Sequence, residues 1–265
     1  MTFDDPAPAS DYDQFVDWNK RLEREAPLFR WAFAKAEAKT VADVGAGSAR
    51  HSLLFASWGM KVIAIDPDDS MLAQAAINIA VSQASFASAG GEVELARGGF
   101  GELEAKGIGP VDALVCTGNA LPHVNGAEGL RAAIADFFGV LRPGGVLVLH
   151  LLNHSRLAAS RTRIVPPVLR DTEEGTKVFL RVIDYPPDGE HIDFDFVTLV
   201  RDKQGEWQLS RRRSPHTFIP HDALEFELHH AGFTEVRVFG NHERKPLDAE
   251  KDESIIVTAT KGGAS

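Results

Sequence analysis

Cysteine is almost missing from this chain: Cys116 is the only one in 265 residues. No internal disulfide can form, and a reducing, cytoplasmic setting is the expectation. Basic charge is in the minority, with 28 Lys and Arg against 38 Asp and Glu and a formal net charge of -10. Such a balance repels phosphate backbones, so nucleic acid is not an expected partner. The densest basic run, Arg211-Arg212-Arg213, reads as a solvated strand edge. Long apolar stretches are lacking as well. The longest, Val146 to Leu152, is interrupted by His150 and is far too short for a bilayer, so no membrane partner is expected either. The start, Met1-Thr2-Phe3-Asp4-Asp5-Pro6, has neither the basic residues nor the apolar stretch of a secretory signal. What is there is 44% hydrophobic, enough for one sizeable core with a small appended lobe.

The apolar pattern divides the chain. Residues 11–38 carry Phe15, Trp18, Leu22, Leu28, Trp31 and Phe33 at helical spacing, and Pro27 is expected to break or restart the helix. From residue 40 short apolar strands alternate with helices: strands at Thr40–Val44, Lys61–Ile65, Val93–Ala96, Val111–Cys116 and Val146–Leu151, helices at Ser48–Trp58, Asp69–Val81 and Ala127–Leu141. This alternation predicts an α/β fold, a doubly wound and mostly parallel sheet covered on both faces. After Asn153 the period changes to two. Thr176–Tyr185, His191–Arg201 and Glu206–Thr217 predict a three-stranded antiparallel meander. A helix over 221–231 and strands at Thr234–Phe239 and Ser254–Thr260 close the parallel sheet, which brings it to seven strands. The expected divisions are an N-terminal helical cap (1–38), an α/β core (39–152), an antiparallel β insertion after strand five (153–219) and the end of the core (220–265).

Chemistry concentrates where strands end. Asp43-Val44-Gly45-Ala46-Gly47 is a strand running into a glycine turn before a helix, where the backbone can approach a ligand without a Cβ clash. Asp66 ends the next strand, placed to accept hydrogen bonds from a ribose diol. Arg50 stands where a dinucleotide fingerprint needs a small residue, so a phosphate-free nucleoside fits the turn better. In these segments the chain resembles the class I S-adenosylmethionine (SAM)-dependent methyltransferases. Leu114-Val115-Cys116-Thr117-Gly118-Asn119-Ala120-Leu121-Pro122-His123 is similar to the fourth-strand segment of the glycine/sarcosine N-methyltransferase group, and Leu141-Arg142-Pro143-Gly144-Gly145 to the family's turn before strand five.

The resemblance implies a Rossmann-like methyltransferase fold and SAM as cofactor. It implies contacts from Asp43, Gly45, Ala46 and Gly47 to the methionine end, from Asp66 and Pro67 to the ribose, and from Thr117, Gly118 and Asn119 nearby. Tyr12 is expected to fold over the cofactor. The acidic residue that the family often places after strand three is replaced by Gly98-Gly99-Phe100-Gly101, so adenine is assigned to Gly99, Phe100 and Met71.

Methyl transfer is an in-line displacement that needs alignment of the nucleophile and exclusion of water, with a base for a protonated acceptor. His123 and His154 are the candidate bases, and Asn153, Arg163, Arg181 and His216 the candidate acceptor ligands. An arginine from the insertion could clamp an acceptor carboxylate. No metal site is expected. The reading is a methyltransferase acting on nitrogen or oxygen of a small molecule. An NAD(P) oxidoreductase and a non-catalytic SAM-binding module stay open, as does a homodimer.

Overall fold

The computed structural model describes residues 9–172 and 175–263. Two helices lead, α1 (Ala9–Phe15) and α2 (Trp18–Lys35). The break falls at Val16-Asp17, where Asp17 caps α2 by accepting from Lys20 N–H at 3.2 Å. The expected break at Pro27 is not observed, because α2 runs through it. Leu28, Phe29, Ala32 and Phe33 are all buried on the sheet side of α2, and that packing outweighs a proline cost of about 3 kcal/mol.

The alternating part follows as β1 (Thr40–Val44), α3 (Arg50–Ala56), β2 (Lys61–Asp66), α4 (Asp69–Ala87), β3 (Glu92–Arg97), β4 (Val111–Cys116), α5 (Gly126–Val140) and β5 (Leu141–Leu152). A short helix α6 (His154–Ser160) leads to β6 (Ile164–Thr172), β7 (Gly175–Asp184), β8 (His191–Arg201) and β9 (Trp207–Thr217). Helix α7 (His221–His230), β10 (Phe233–Phe239) and β11 (Ser254–Lys261) complete the chain.

Seven strands form one sheet in the order β10-β11-β5-β4-β1-β2-β3. The pairs β5-β4, β4-β1, β1-β2 and β2-β3 are parallel, and β11 runs antiparallel to both β5 and β10. This is the expected doubly wound sheet. Its strand order reverses between β1 and β4, and ligands of such sheets lie at the carboxyl ends beside that reversal. Val41, Ala42, Val44, Leu114, Val115 and Leu147 to Leu149 are fully buried at the centre. One face is packed by Leu130, Ile134, Phe137, Leu224 and Leu228, the other by Leu28, Phe29, Phe33 and Phe55. Strand β5 begins earlier than expected: Leu141 pairs with Val111 and Val146 with Ala113, so Arg142-Pro143-Gly144-Gly145 bulges out of register instead of ending the helix as a free turn.

The antiparallel sheet has four strands, β6-β7-β8-β9, one more than the period-two pattern predicted. Strand β6 was hidden by Pro166-Pro167. These prolines fall where its register with β7 shifts, between Val165 and Val168, on an edge strand where a missing N–H donor is tolerated.

Candidate functional site

The glycine turn after β1 is shaped by backbone constraints. Gly45 has φ +72°, and a Cβ on it would lie 2.6 Å from that of Ala120, so no larger residue fits. Gly47 has φ +55° and open space around the same position. The turn spends its N–H groups inward. Those of Gly45 and Ala46 donate to Ile65 C=O at 2.9 and 3.0 Å, and that of Ala49 donates to Ala46 C=O at 3.0 Å. That of Gly47 donates to Asp66 Oδ2 at 2.8 Å. Asp66 also accepts from Asp68 N–H at 2.9 Å. Its burial raises its pKa, an effect the two backbone donors oppose. Asp43 is buried beneath α3 and accepts from Ser52 Oγ at 2.6 Å. Its role here is to fix the start of α3.

Beside Asp66, Gly98 N–H donates to Asp66 C=O at 3.2 Å, which brings Gly99 and Phe100 next to the tip of β2. Phe100 packs edge-on against Phe137, and Met71 follows on the first turn of α4; both are half-buried. Pro67 is exposed between them.

Across the reversal, Gly118 (φ +71°) lies under the N-terminal segment. A Cβ there would meet Arg21 Nη2 at 3.4 Å and the Tyr12 hydroxyl at 3.5 Å. Thr117 is buried with its hydroxyl 3.4 Å from His51 Nδ1. Arg21 stands in no motif of the sequence. Its Nε donates to Glu25 Oε1 at 3.0 Å, while its Nη2 is buried with no hydrogen-bond partner among the described residues. Burial opposes its charge, but Tyr12 and Glu25 outweigh that and raise its pKa. The i,i+4 spacing to Glu25 was the available signal. Arg50, anomalous for a dinucleotide turn, has a structural job: it pairs with Asp13 at 2.8 Å. Asp13 also accepts from Trp18 Nε1 at 3.1 Å, Asn78 Nδ2 at 3.1 Å and the Ser48 hydroxyl. Asp11 pairs with Lys177 of β7 at 3.0 Å. The N-terminal segment is thereby strapped to the glycine turn and to the antiparallel sheet.

That second sheet contributes side chains. Leu152 N–H donates to Asn119 Oδ1 at 2.9 Å, so the amide's Nδ2 donates to His216 Nδ1 at 3.1 Å. His216 then carries its proton on Nε2, which is buried and without a partner among the described residues. Burial and the neighbouring His123 and His154 lower its pKa to about 2. His123, on the short 3-10 turn Leu121–His123 after β4, meets His216 edge-on with centroids 4.5 Å apart. It lies at the rim, its Nδ1 3.4 Å from Ser214 Oγ, and partial burial with Arg212 nearby lowers its pKa. Arg181, Phe196 and Arg212 pair in register across β7, β8 and β9 and so share one face of the sheet. Arg181 is half-buried over the Phe15 ring at 5.0 Å. Arg212 is half-buried within electrostatic reach of Asp66, Asp68, His123 and His216, and was missed because it stood inside an apparently solvated run.

Three expected site residues are placed elsewhere. His154 is fully buried between Phe218 and Phe194, with its pKa lowered to about 4 by burial, and does not reach the strand ends as an accessible base. Asn153 caps α6 through Arg156 N–H and donates to Ala249 and Asp252 C=O, which uses its polar atoms for folding. Arg163 is exposed and pairs with Asp184 at 2.5 Å. Cys116 is buried, and burial pushes its thiol pKa up, so it behaves as a small apolar residue.

Residues 41–145, the span from β1 through the turn after α5, match the family model described as a methyltransferase domain. The match spans less than half of the chain, and it holds the glycine turn, Asp66 and Thr117–Asn119. Over 149 residues the chain is 30% identical to the glycine/sarcosine N-methyltransferase of Parasynechococcus marenigrum, covering 55% of this chain and 49% of that protein. It is 27% identical over 146 residues to the glycine/sarcosine/dimethylglycine N-methyltransferase of Actinopolyspora halophila, covering 55% of this chain and 25% of that one. The chain therefore matches half or less of the length of these curated relatives. Among solved structures, Streptomyces venezuelae DesVI aligns with a TM-score of 0.75 at 16% identity, covering 98% of this chain and all of that one. CalS10, an amino pentose methyltransferase of Micromonospora echinaspora, aligns at 0.71 and 20%, covering 96% and 95%. These alignments extend the methyltransferase fold over the antiparallel sheet as well.

Proposed function

We propose that this chain transfers a methyl group from SAM to a nitrogen of a small-molecule acceptor. The observation that carries the cofactor assignment is the glycine turn. Its N–H groups at Gly45, Ala46, Gly47 and Ala49 are engaged within the fold, and Arg50 is held by Asp13. A pyrophosphate needs such donors free at a helix N-terminus, so a dinucleotide has no cradle here, and the oxidoreductase reading loses its site. A sulfonium nucleoside does fit. Asp66 retains lone pairs for ribose hydroxyls, Gly47 leaves room beside it, and the orphaned Arg21 Nη2 above Gly118 meets the chemistry of the methionine carboxylate. Phe100 and Met71 flank the adenine end.

SAM supplies an electrophilic methyl on a sulfur whose departure needs no acid. The chain's own residues must place the acceptor and keep water away. The His216 Nε2–H, fixed by the Asn119 relay, donates to the acceptor. Arg181 and Arg212 give that region a positive field suited to a small anionic group on it. His123, neutral at physiological pH, takes the proton of an ammonium acceptor. The named relatives act on glycine and sarcosine, and among the aligned structures are a sugar N-methyltransferase and an amino pentose methyltransferase, which supports nitrogen as the receiving atom.

Calorimetric titration with S-adenosylhomocysteine, SAM and NAD(P) tests the cofactor: one equivalent of the first two and none of the third is expected, and the reverse refutes the reading. Turnover of labelled SAM against a panel of small amines, amino acids and amino sugars tests the activity. His123→Ala should lower turnover by about tenfold or more with SAM affinity nearly unchanged; equal loss of both would make His123 structural.

A further inference from the structure

Next to Arg21 lies a second polar cluster that methyl transfer does not use. Glu25 of α2 is fully buried. Around it stand His51 of α3, His150 of β5 and His242 of the β10–β11 connection, with His51 and His242 only 6% and 8% exposed in their side chains. A carboxylate is costly to bury, and three imidazoles from three different elements converging on it form an arrangement of their own. One ligand-capable atom each from Glu25, His150 and His242 lies within 4.8 Å of the other two. His242 Nε2 is 3.6 Å from Glu25 Oε1, and the His150 and His242 rings meet edge-on at 5.2 Å. The His150 Nδ1 is buried and has no hydrogen-bond partner among the described residues.

We propose that Glu25, His150 and His242 form a binding site for a divalent transition-metal ion, zinc being the best match to two imidazoles and one carboxylate. Two neutral nitrogens and one carboxylate oxygen are borderline donors, which favours zinc, cobalt or nickel over the hard ions magnesium and calcium. Imidazoles bind metal only when neutral. Burial lowers the pKa of His150 to about 3 and of His242 to about 4, so both offer lone pairs at physiological pH. Burial acts to raise Glu25, but the hydrogen bond from His51 and the nearby Arg21 outweigh it, so the carboxylate is charged. The second shell is already built: His51 Nε2 lies 2.7 Å from Glu25 Oε2, and His150 Nε2 lies 3.1 Å from Ser254 Oγ. Arg21 and Arg24 reach Glu25 Oε1 at 3.0 and 3.4 Å, so an incoming ion displaces them from that oxygen, and the imidazoles supply most of its binding. Three protein ligands leave one coordination position for solvent. Such an ion would tie α2, β5 and the β10–β11 connection together, and its binding does not depend on the methyltransferase reading.

The test is a zinc titration of chelator-treated protein against a chromophoric competitor, repeated with cobalt to read the ligand field from its visible bands. One equivalent of zinc is expected, with His150→Ala and His242→Gln each weakening it by about tenfold or more, while the exposed-helix variant His229→Ala and the crevice variant His216→Ala bind as the parent does. Circular dichroism and melting curves establish that each variant is folded. Should His150→Ala fail to fold, His242→Gln, altered in a surface connection, carries the same comparison. Absence of binding by the parent, survival of binding in His242→Gln, or its loss in His216→Ala in place of the cluster variants would overturn the proposal.

Discussion

The two sheets meet at one crevice and equip it by different means. The parallel sheet works through backbone: a turn that only glycine can make, a buried carboxylate held by two N–H groups, and a β4 end with Gly118 and Asn119 both in the left-handed region. The antiparallel sheet works through side chains, presenting Arg181, Arg212 and His216 from a surface that packs less deeply, with Ile164, Leu169, Trp207 and Leu209 exposed on its strands. Backbone sites are set by covalent geometry and tolerate little change. Side-chain sites are adjustable, a division that matches the proposed roles of the first sheet toward the cofactor and of the second toward the acceptor.

Substitutions can break that contrast, and the largest effect is expected at Gly45→Val. The added side chain meets Ala120 and must hold a positive φ, so S-adenosylhomocysteine binding should fall below detection by calorimetry while far-UV circular dichroism keeps most helix content. Near-parental binding would show that the turn does not shape the cofactor end. Asp66→Ala should weaken the same ligand by about 2 kcal/mol, about thirtyfold in Kd; an unchanged Kd in the folded variant removes the ribose assignment. Arg21→Met sharpens the methionine end. Affinity for S-adenosylhomocysteine should drop by about tenfold, whereas methylthioadenosine, which has no carboxylate, should bind parent and variant alike. An equal loss for both nucleosides would mean that Arg21 only supports the fold.

A separate effect, on stability and not on binding, is graded with pH. His150, His154 and His242 titrate at about 3, 4 and 4 in the folded chain, below the ordinary histidine value near 6.5. The unfolded chain therefore binds protons that the folded chain refuses. Stability contributed by these groups is constant above pH 6.5 and is lost as pH falls toward 4, by at most about 1.4 kcal/mol per unit for each ring. Urea midpoints measured between pH 7 and 5 should decline, and His154→Phe, which fills the space between Phe194 and Phe218 with an uncharged ring, should flatten the slope. A midpoint indifferent to pH over that range would rule the histidines out as the acid-sensitive groups.

How much could be read beforehand depended on range. The β1 turn, Asp66 and the Thr117–Asn119 segment are contiguous signals, each readable within ten residues. Strand β6 was masked by two prolines at its bulge, and α2 ran through Pro27 because its buried face is paired with residues far along the chain. Arg21 stood in no motif, and Arg212 looked like an ordinary surface cation. Nothing local says that one ends with a buried, unpartnered nitrogen above Gly118 while the other faces two histidines. His154 shows the reverse error, since its position after β5 suggested the site while packing against two phenylalanines removed it.

Residue order alone determined the alternation of strands and helices, the glycine turn and the carboxylate one strand away, because local backbone preferences and the period of burial act over a few residues. Tertiary structure decided how the charges are paired: Arg50 and Arg163 found carboxylates, one Arg21 nitrogen has no hydrogen-bond partner among the described residues, and three histidines gathered on Glu25. Pairing and burial of a charge depend on what folding brings within a few ångströms, and those neighbours lie tens to hundreds of residues away.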